Sequence, residues 1–128
     1  MTLVLDSGGV TALAGQRARL EELRRRGEWP AIVSAVVLTE TLTGDHRRDF
    51  HENRLLRICD IRVVDELTAR AAAALRATAK GSRTPSAIDA IVVATADAAG
   101  GGTILTSDPR DLRALAGYTI NQVHIART

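Results

Sequence analysis

Short, mostly apolar runs alternate along this chain with longer stretches in which apolar residues recur at helical spacing. The runs at 2–5, 31–33, 61–64, 103–106 and 120–125 predict strands, since each is brief and bounded by turn-forming or charged residues. None alternates apolar with polar positions, so each reads as a strand covered on both faces. Between them, residues 10–26 predict a helix with Leu20 and Leu23 apolar among charges, punctuated by Gly27 and Pro30. Residues 35–43 predict a second helix, capped by Ser34 and stopped by Gly44. A charged segment at 45–57, with Phe50, Leu55 and Leu56 as its apolar points, predicts a helix covering one face. Residues 67–80 are strongly helical by propensity, with Leu67, Ala71, Ala74, Leu75 and Thr78 on one side. Ser86 caps a helix at 87–99 that is apolar almost all round, ended by Gly100-Gly101-Gly102, and 109–115 predicts a short last helix.

Alternating strands and helices of this kind make an α/β fold: a central parallel β-sheet of four to five strands flanked by helices on both faces. The length of 128 residues suffices for one core, and no repeat, low-complexity tract or linker divides it, so residues 1–128 are read as one domain.

Ligands of open parallel sheets bind outside the carboxyl ends of the strands. Asp6 falls at the end of the first strand and Asp108 just past the fourth, while Glu40 sits in the helix after the second. Asp89 lies near the start of the most apolar helix, where a carboxylate is an anomaly unless paired, hydrogen-bonded or bound to a metal. Each has a duller use as well: a turn at Asp6, a surface position at Glu40, a helix-dipole contact at Asp89 and a cap at Asp108-Pro109. Their common location at one sheet edge favours a shared role. Clustered carboxylates repel, and a hard cation with oxygen ligands relieves that repulsion. Without a Cys/His cluster to indicate zinc, the expected ion is Mg²⁺ or Mn²⁺.

Composition narrows the picture. Hydrophobic residues at 45% and charged residues at 25% describe a folded chain, and aromatics at 2% nearly exclude a base-stacking platform. The formal charge of +2 is mildly basic, which suits a phosphate-bearing partner. Cys59 stands alone, no apolar run spans a bilayer and the first residues lack a signal-peptide pattern, so a cytoplasmic location is expected.

The stretches Val4-Leu5-Asp6-Ser7, Ser34 to Thr41 around Glu40, Ser86-Ala87-Ile88-Asp89-Ala90-Ile91-Val92-Val93-Ala94-Thr95-Ala96, and Thr106-Ser107-Asp108-Pro109-Arg110-Asp111-Leu112 resemble, in order and spacing, the PIN-domain family and in particular its VapC-like toxins. That resemblance covers essentially the whole chain. It implies a metal-dependent endoribonuclease, the toxin of a toxin–antitoxin pair, that hydrolyses RNA phosphodiester bonds. By the same resemblance Asp6, Glu40, Asp89 and Asp108 form the catalytic metal site, with Asp111 as a further acid whose participation varies. Ser7 and Ser107 match small polar positions that support the acids. A cognate antitoxin in a groove beside the site, and a homodimer or toxin–antitoxin hetero-oligomer, are also implied. One departure stands out: Gly8-Gly9 follow Asp6-Ser7 where the family usually has a polar and then a branched apolar residue, which is expected to loosen the start of the first helix.

On this reading one or two metal ions assist attack by water, and no protein nucleophile is needed. His46, His51 and His124 are scattered and read as surface or structural, whereas Arg110, Arg83, Lys80 and Arg47-Arg48 lie where substrate contacts are expected. The Arg24-Arg25-Arg26 cluster reads as a solvated face. Two alternatives stay open. One is a different Mg²⁺-dependent phosphate-transfer domain with Asp6 as covalent acceptor. The other is a catalytically silent interaction module of the same fold, for which Gly8-Gly9 is the best support.

Overall fold

The computed structural model describes residues 2–81 and 83–128. Its strands are β1 (Leu3–Leu5), β2 (Ile32–Ser34), β3 (Asp60–Arg62), β4 (Gly102–Thr106) and β5 (Val123–Arg127). Among the described residues they form one five-stranded, all-parallel sheet in the order β3-β2-β1-β4-β5. The unbroken apolar runs of β1, β2 and β4 occupy its middle, where Val4, Leu5, Val33 and Ile104 are buried from both sides.

The helices are α1 (Ser7–Ala14), α2 (Arg17–Arg25), α3 (Leu38–Thr41, after a 3-10 turn at Ala35–Val37), α4 (Phe50–Leu56), α5 (Glu66–Thr78), α6 (Ala87–Ala98) and α7 (Arg110–Ala116). Parallel crossovers are right-handed, so reversing the direction of travel across the sheet changes the face that is covered. The chain moves outward from β1 through β2 to β3, then returns past β1 to β4 and β5. Accordingly α1 packs with α2, α3 and α4, whereas α6 packs with α5 and α7 and lies across β1, β2, β4 and β5. The reversal falls between β1 and β4, and their carboxyl ends flank the crevice that such a switch point opens.

The core is aliphatic, as the shortage of aromatics requires. Leu5, Leu13, Val92, Val93, Ile104, Leu112 and Leu115 are fully buried. The run of valines and alanines on α6 is explained by its place beneath the sheet between two other helices.

Several elements differ from the sequence expectation. Residues 10–26 form two helices, because the chain turns at Gly15-Gln16; α1 begins earlier, at Ser7, since Asp6 caps it. Ser34 does not cap the following turn, and its Oγ is buried without a partner. The next helix ends at Leu42, which is extended, well before Gly44. Helix α4 occupies only the second half of 45–57, the first half being a loop tied down by the buried Asp49 carboxylate, which accepts the N–H groups of Thr43 and Gly44. On α5 the buried stripe runs through Ala72 and Leu75, and Leu67 is 80% exposed. Alanines occur all round this helix, so periodicity could not fix its rotation. Strand β5 starts at Val123, and Ile120 is instead 95% exposed in a loop whose N–H groups at Ile120 and Asn121 are held by Asp97.

Candidate active site

Asp6 continues the extended backbone of β1 into the switch-point crevice and is 9% exposed. One carboxylate oxygen accepts the Gly9 N–H at 2.8 Å, capping α1, and the other accepts the hydroxyl of Thr106. Burial raises the Asp6 pKa above the ordinary value, opposed by the bonds from Thr106, Gly9 and Gly8 and reinforced by the Asp108 charge. Thr106 ends β4, in register beyond the Leu5–Leu105 pair, which sets its side chain beside Asp6. Its oxygen also accepts the Asp108 N–H at 3.0 Å, so one hydroxyl links the two acids.

Gly8 and Gly9 do not loosen this corner. A Cβ at Gly9 would stand 2.3 Å from the Leu105 carbonyl oxygen, and one at Gly8 would stand 2.1 Å from Ser107 Oγ and 2.9 Å from Ser107 N. The first turn of α1 therefore packs directly on the end of β4, which only glycine permits. Among the described residues Ser7 and Ser107 make no side-chain hydrogen bond to the acids; Thr106 is the supporting hydroxyl, and its place next to Asp108 in the sequence was the available signal.

Asp89 lies in the first turn of α6, behind the Ser86 cap. Its pKa is pushed up to about 6, first by burial and then by the charges of Asp111, Asp6, Glu40 and Asp108. Every acid read from the sequence thus bears on Asp89. Glu40 is an exposed residue of the short helix α3, and Asp108 is exposed in the turn before α7. Asp111, in the first turn of α7, pairs with Arg83, whose Nη2 lies 2.6 Å from its Oδ1. Sequence reading placed Arg83 near the site but did not foresee this pair, which bridges residues 28 apart.

The histidines lie elsewhere: His51 meets Phe50 edge-on at 5.3 Å on α4, and His124 is exposed on β5. Arg24, Arg25 and Arg26 pair with Glu21 and Glu22 on the solvated side of α2 and its C-terminus. A groove of about 500 Å³ between α1–α2 and α4 lies apart from the acids, with Leu13, Leu20 and Leu55 in its floor and Arg17, Arg24 and Arg54 among its lining.

Among the described residues no three His, Cys, Asp or Glu side chains are close enough together to hold an ion as they stand. The donor chemistry nonetheless fits a hard divalent cation. The acids offer oxygen alone, and the charges of Asp111, Asp6, Glu40 and Asp108 all bear on a half-buried Asp89, a repulsion that a hard cation relieves. Ser34 adds a second indication, since its buried, unpartnered Oγ ends β2 one position past the Leu5–Val33 register, alongside Asp6.

The sequence profile of the PIN domain matches residues 3–118, and the chain belongs to that family. No curated protein sequence matched it. Among solved structures it is similar to VapBC2 from Rickettsia felis bound to a promoter DNA fragment, at 14% identity and a TM-score of 0.73, covering 100% of this chain and 99% of that one. It is also similar to DNA-bound VapBC from Salmonella typhimurium, at 15% identity and a TM-score of 0.71, with coverage of 99% and 98%. A third is FitAcB from Neisseria gonorrhoeae, at 20% identity and a TM-score of 0.64, with coverage of 96% and 95%.

Proposed function

We propose that this PIN-domain protein is a metal-dependent endoribonuclease and the toxin of a toxin–antitoxin pair, acting in the cytoplasm. The observation that supports the reading is the buried Asp6 at the switch point of a parallel sheet, with the charges of Asp111, Asp6, Glu40 and Asp108 all raising the pKa of Asp89. Asp6, Glu40, Asp89 and Asp108 would hold Mg²⁺ or Mn²⁺, with Asp111 beside them in its pair with Arg83. The chemistry such an ion supplies is activation of an attacking water and neutralisation of charge on the leaving oxygen of the phosphodiester.

The protein's own groups prepare that site. Thr106 and the Gly9 N–H fix both oxygens of Asp6, so a ligand on a loop edge has the precision of one built into the sheet. The apolar floor of α6 holds Asp89 partly out of water, and this burial, more than the neighbouring carboxylate charges, raises its pKa. A silent module gains no support from Gly8-Gly9, because both glycines are required by the packing of α1 on β4.

The antitoxin reading draws on the groove between α1–α2 and α4. Its apolar floor, rimmed by Arg17 and Arg54 and by the Arg24–Glu21 pair, suits an amphipathic segment of a partner. The neighbouring VapBC structures are complexes, in line with a partner for this chain and with a homodimer or hetero-oligomer. The deciding test is ribonuclease assay and circular dichroism of Asp89→Asn with Mn²⁺ present. Loss of cleavage with an unchanged spectrum is expected, and full cleavage by the variant overturns the assignment.

A further inference from the structure

We infer that Arg83 and Asp111 work as a unit that binds a substrate phosphate beside the metal acids, with Asp111 positioning the guanidinium and not ligating the ion. The inference rests on the nuclease reading and deepens it.

Asp111 contributes the largest of the carboxylate effects on Asp89, so it belongs electrostatically to the cluster. Unlike Asp6, whose oxygens are fixed by neutral donors, it already has a full counter-charge, with Arg83 Nη2 at 2.6 Å. The Asp111 side chain is 21% exposed and that of Arg83 is 56% exposed, so the acid is sheltered while the cation faces solvent. A sheltered acid holding an exposed arginine is the arrangement that presents a guanidinium outward. A guanidinium has more N–H donors than this single contact uses, and its planar fork matches the oxygens of a phosphodiester.

Both supports of the pair are tied to the fold. Asp111 lies in the first turn of α7, directly after the Asp108 turn, and Leu112 behind it is fully buried. The segment carrying Arg83 leads into the Ser86 cap of α6, and Arg76 of α5 donates to the Pro85 carbonyl oxygen at 2.9 Å. Arg83 thus stands on the connection that leads to Asp89, with its guanidinium held against Asp111. An RNA strand meeting a cluster of carboxylates is repelled unless a cation receives it, and Arg83 is placed to receive the phosphate next to the one cleaved.

The test uses the whole chain with Mn²⁺ and a single-stranded RNA. Arg83→Gln is expected to raise KM about 5–10-fold with kcat changed less than about twofold, and to lessen the salt dependence of KM by about 0.7 of a unit in the logarithmic slope, one phosphate contact. Arg83→Lys, which keeps charge but not the fork, recovers part of the affinity. Asp111→Asn should raise KM in the same sense and still bind Mn²⁺ in calorimetry within about threefold of wild type, whereas Asp89→Asn should not bind. Loss of Mn²⁺ binding in Asp111→Asn, or an Arg83→Gln effect confined to kcat or to melting temperature, overturns the inference and leaves the nuclease reading intact. Failure of the wild-type chain to cleave any RNA removes both.

Discussion

The Thr106 hydroxyl donates to the buried Asp6 carboxylate across the seam between β4 and β1, joining segments 100 residues apart at the point where the sheet reverses its winding. A carboxylate that is 9% exposed needs such a partner, because an unsatisfied buried acceptor carries its full desolvation penalty. Thr106→Val keeps the shape and removes the donor. It is expected to cost about 1–3 kcal/mol in urea denaturation at neutral pH and to reduce cleavage, while Thr106→Ser stays near wild type. Equal stability of the Val and Ser variants would contradict this role.

Asp89 links stability to pH. Its folded pKa of about 6 lies above the ordinary 3.8, so the folded protein holds this proton more tightly than the unfolded chain does. The contribution is fully present below about pH 4 and is lost as pH rises through 6. Metal-free Asp89→Asn should therefore be more stable than wild type at pH 7–8, by about 1–1.5 kcal/mol once solvent screening of a half-buried group is allowed for, with the gain vanishing near pH 4. Thermal melts of both proteins in EDTA across that range measure it.

The same shift governs metal affinity. A ligand must be deprotonated before it binds, so Mn²⁺ affinity should fall as pH drops below about 6, with proton release on binding. Calorimetry in buffers of different ionisation enthalpy reads both. An affinity flat between pH 5 and 7 would remove Asp89 from the ligand set.

Gly9 is a packing requirement. Gly9→Ala drives a methyl to 2.3 Å from the Leu105 carbonyl oxygen, which is backbone and cannot rotate away. An expected loss of about 2–3 kcal/mol places it among overpacked substitutions, against the small gain alanine brings to an open helix position. Gly15→Ala is the control, since its nearest neighbour would be 3.8 Å away.

Much of this molecule is legible in its residues. The buried strands declare themselves because a parallel sheet covered on both faces tolerates no alternation, and the acids stand out because carboxylates are costly next to apolar runs. The sequence motifs around Asp6, Glu40, Asp89 and Asp108 mark one edge before any coordinate is known. The rotation of α5 was not legible, since its alanines give no unique apolar side, nor was the break at Gly15-Gln16 inside a run of good helix formers.

What the chain order alone determined is the alternation of strands and helices and the segments that carry the acids, because hydrophobic period and turn chemistry are local properties. What tertiary structure alone decided is who meets whom: Thr106 with Asp6, Arg83 with Asp111, and the two glycines against β4. Those meetings depend on the order in which strands pair and on which face each helix covers. Local sequence carries no distance between residues 28 or 100 positions apart; closing the sheet at its switch point supplies it.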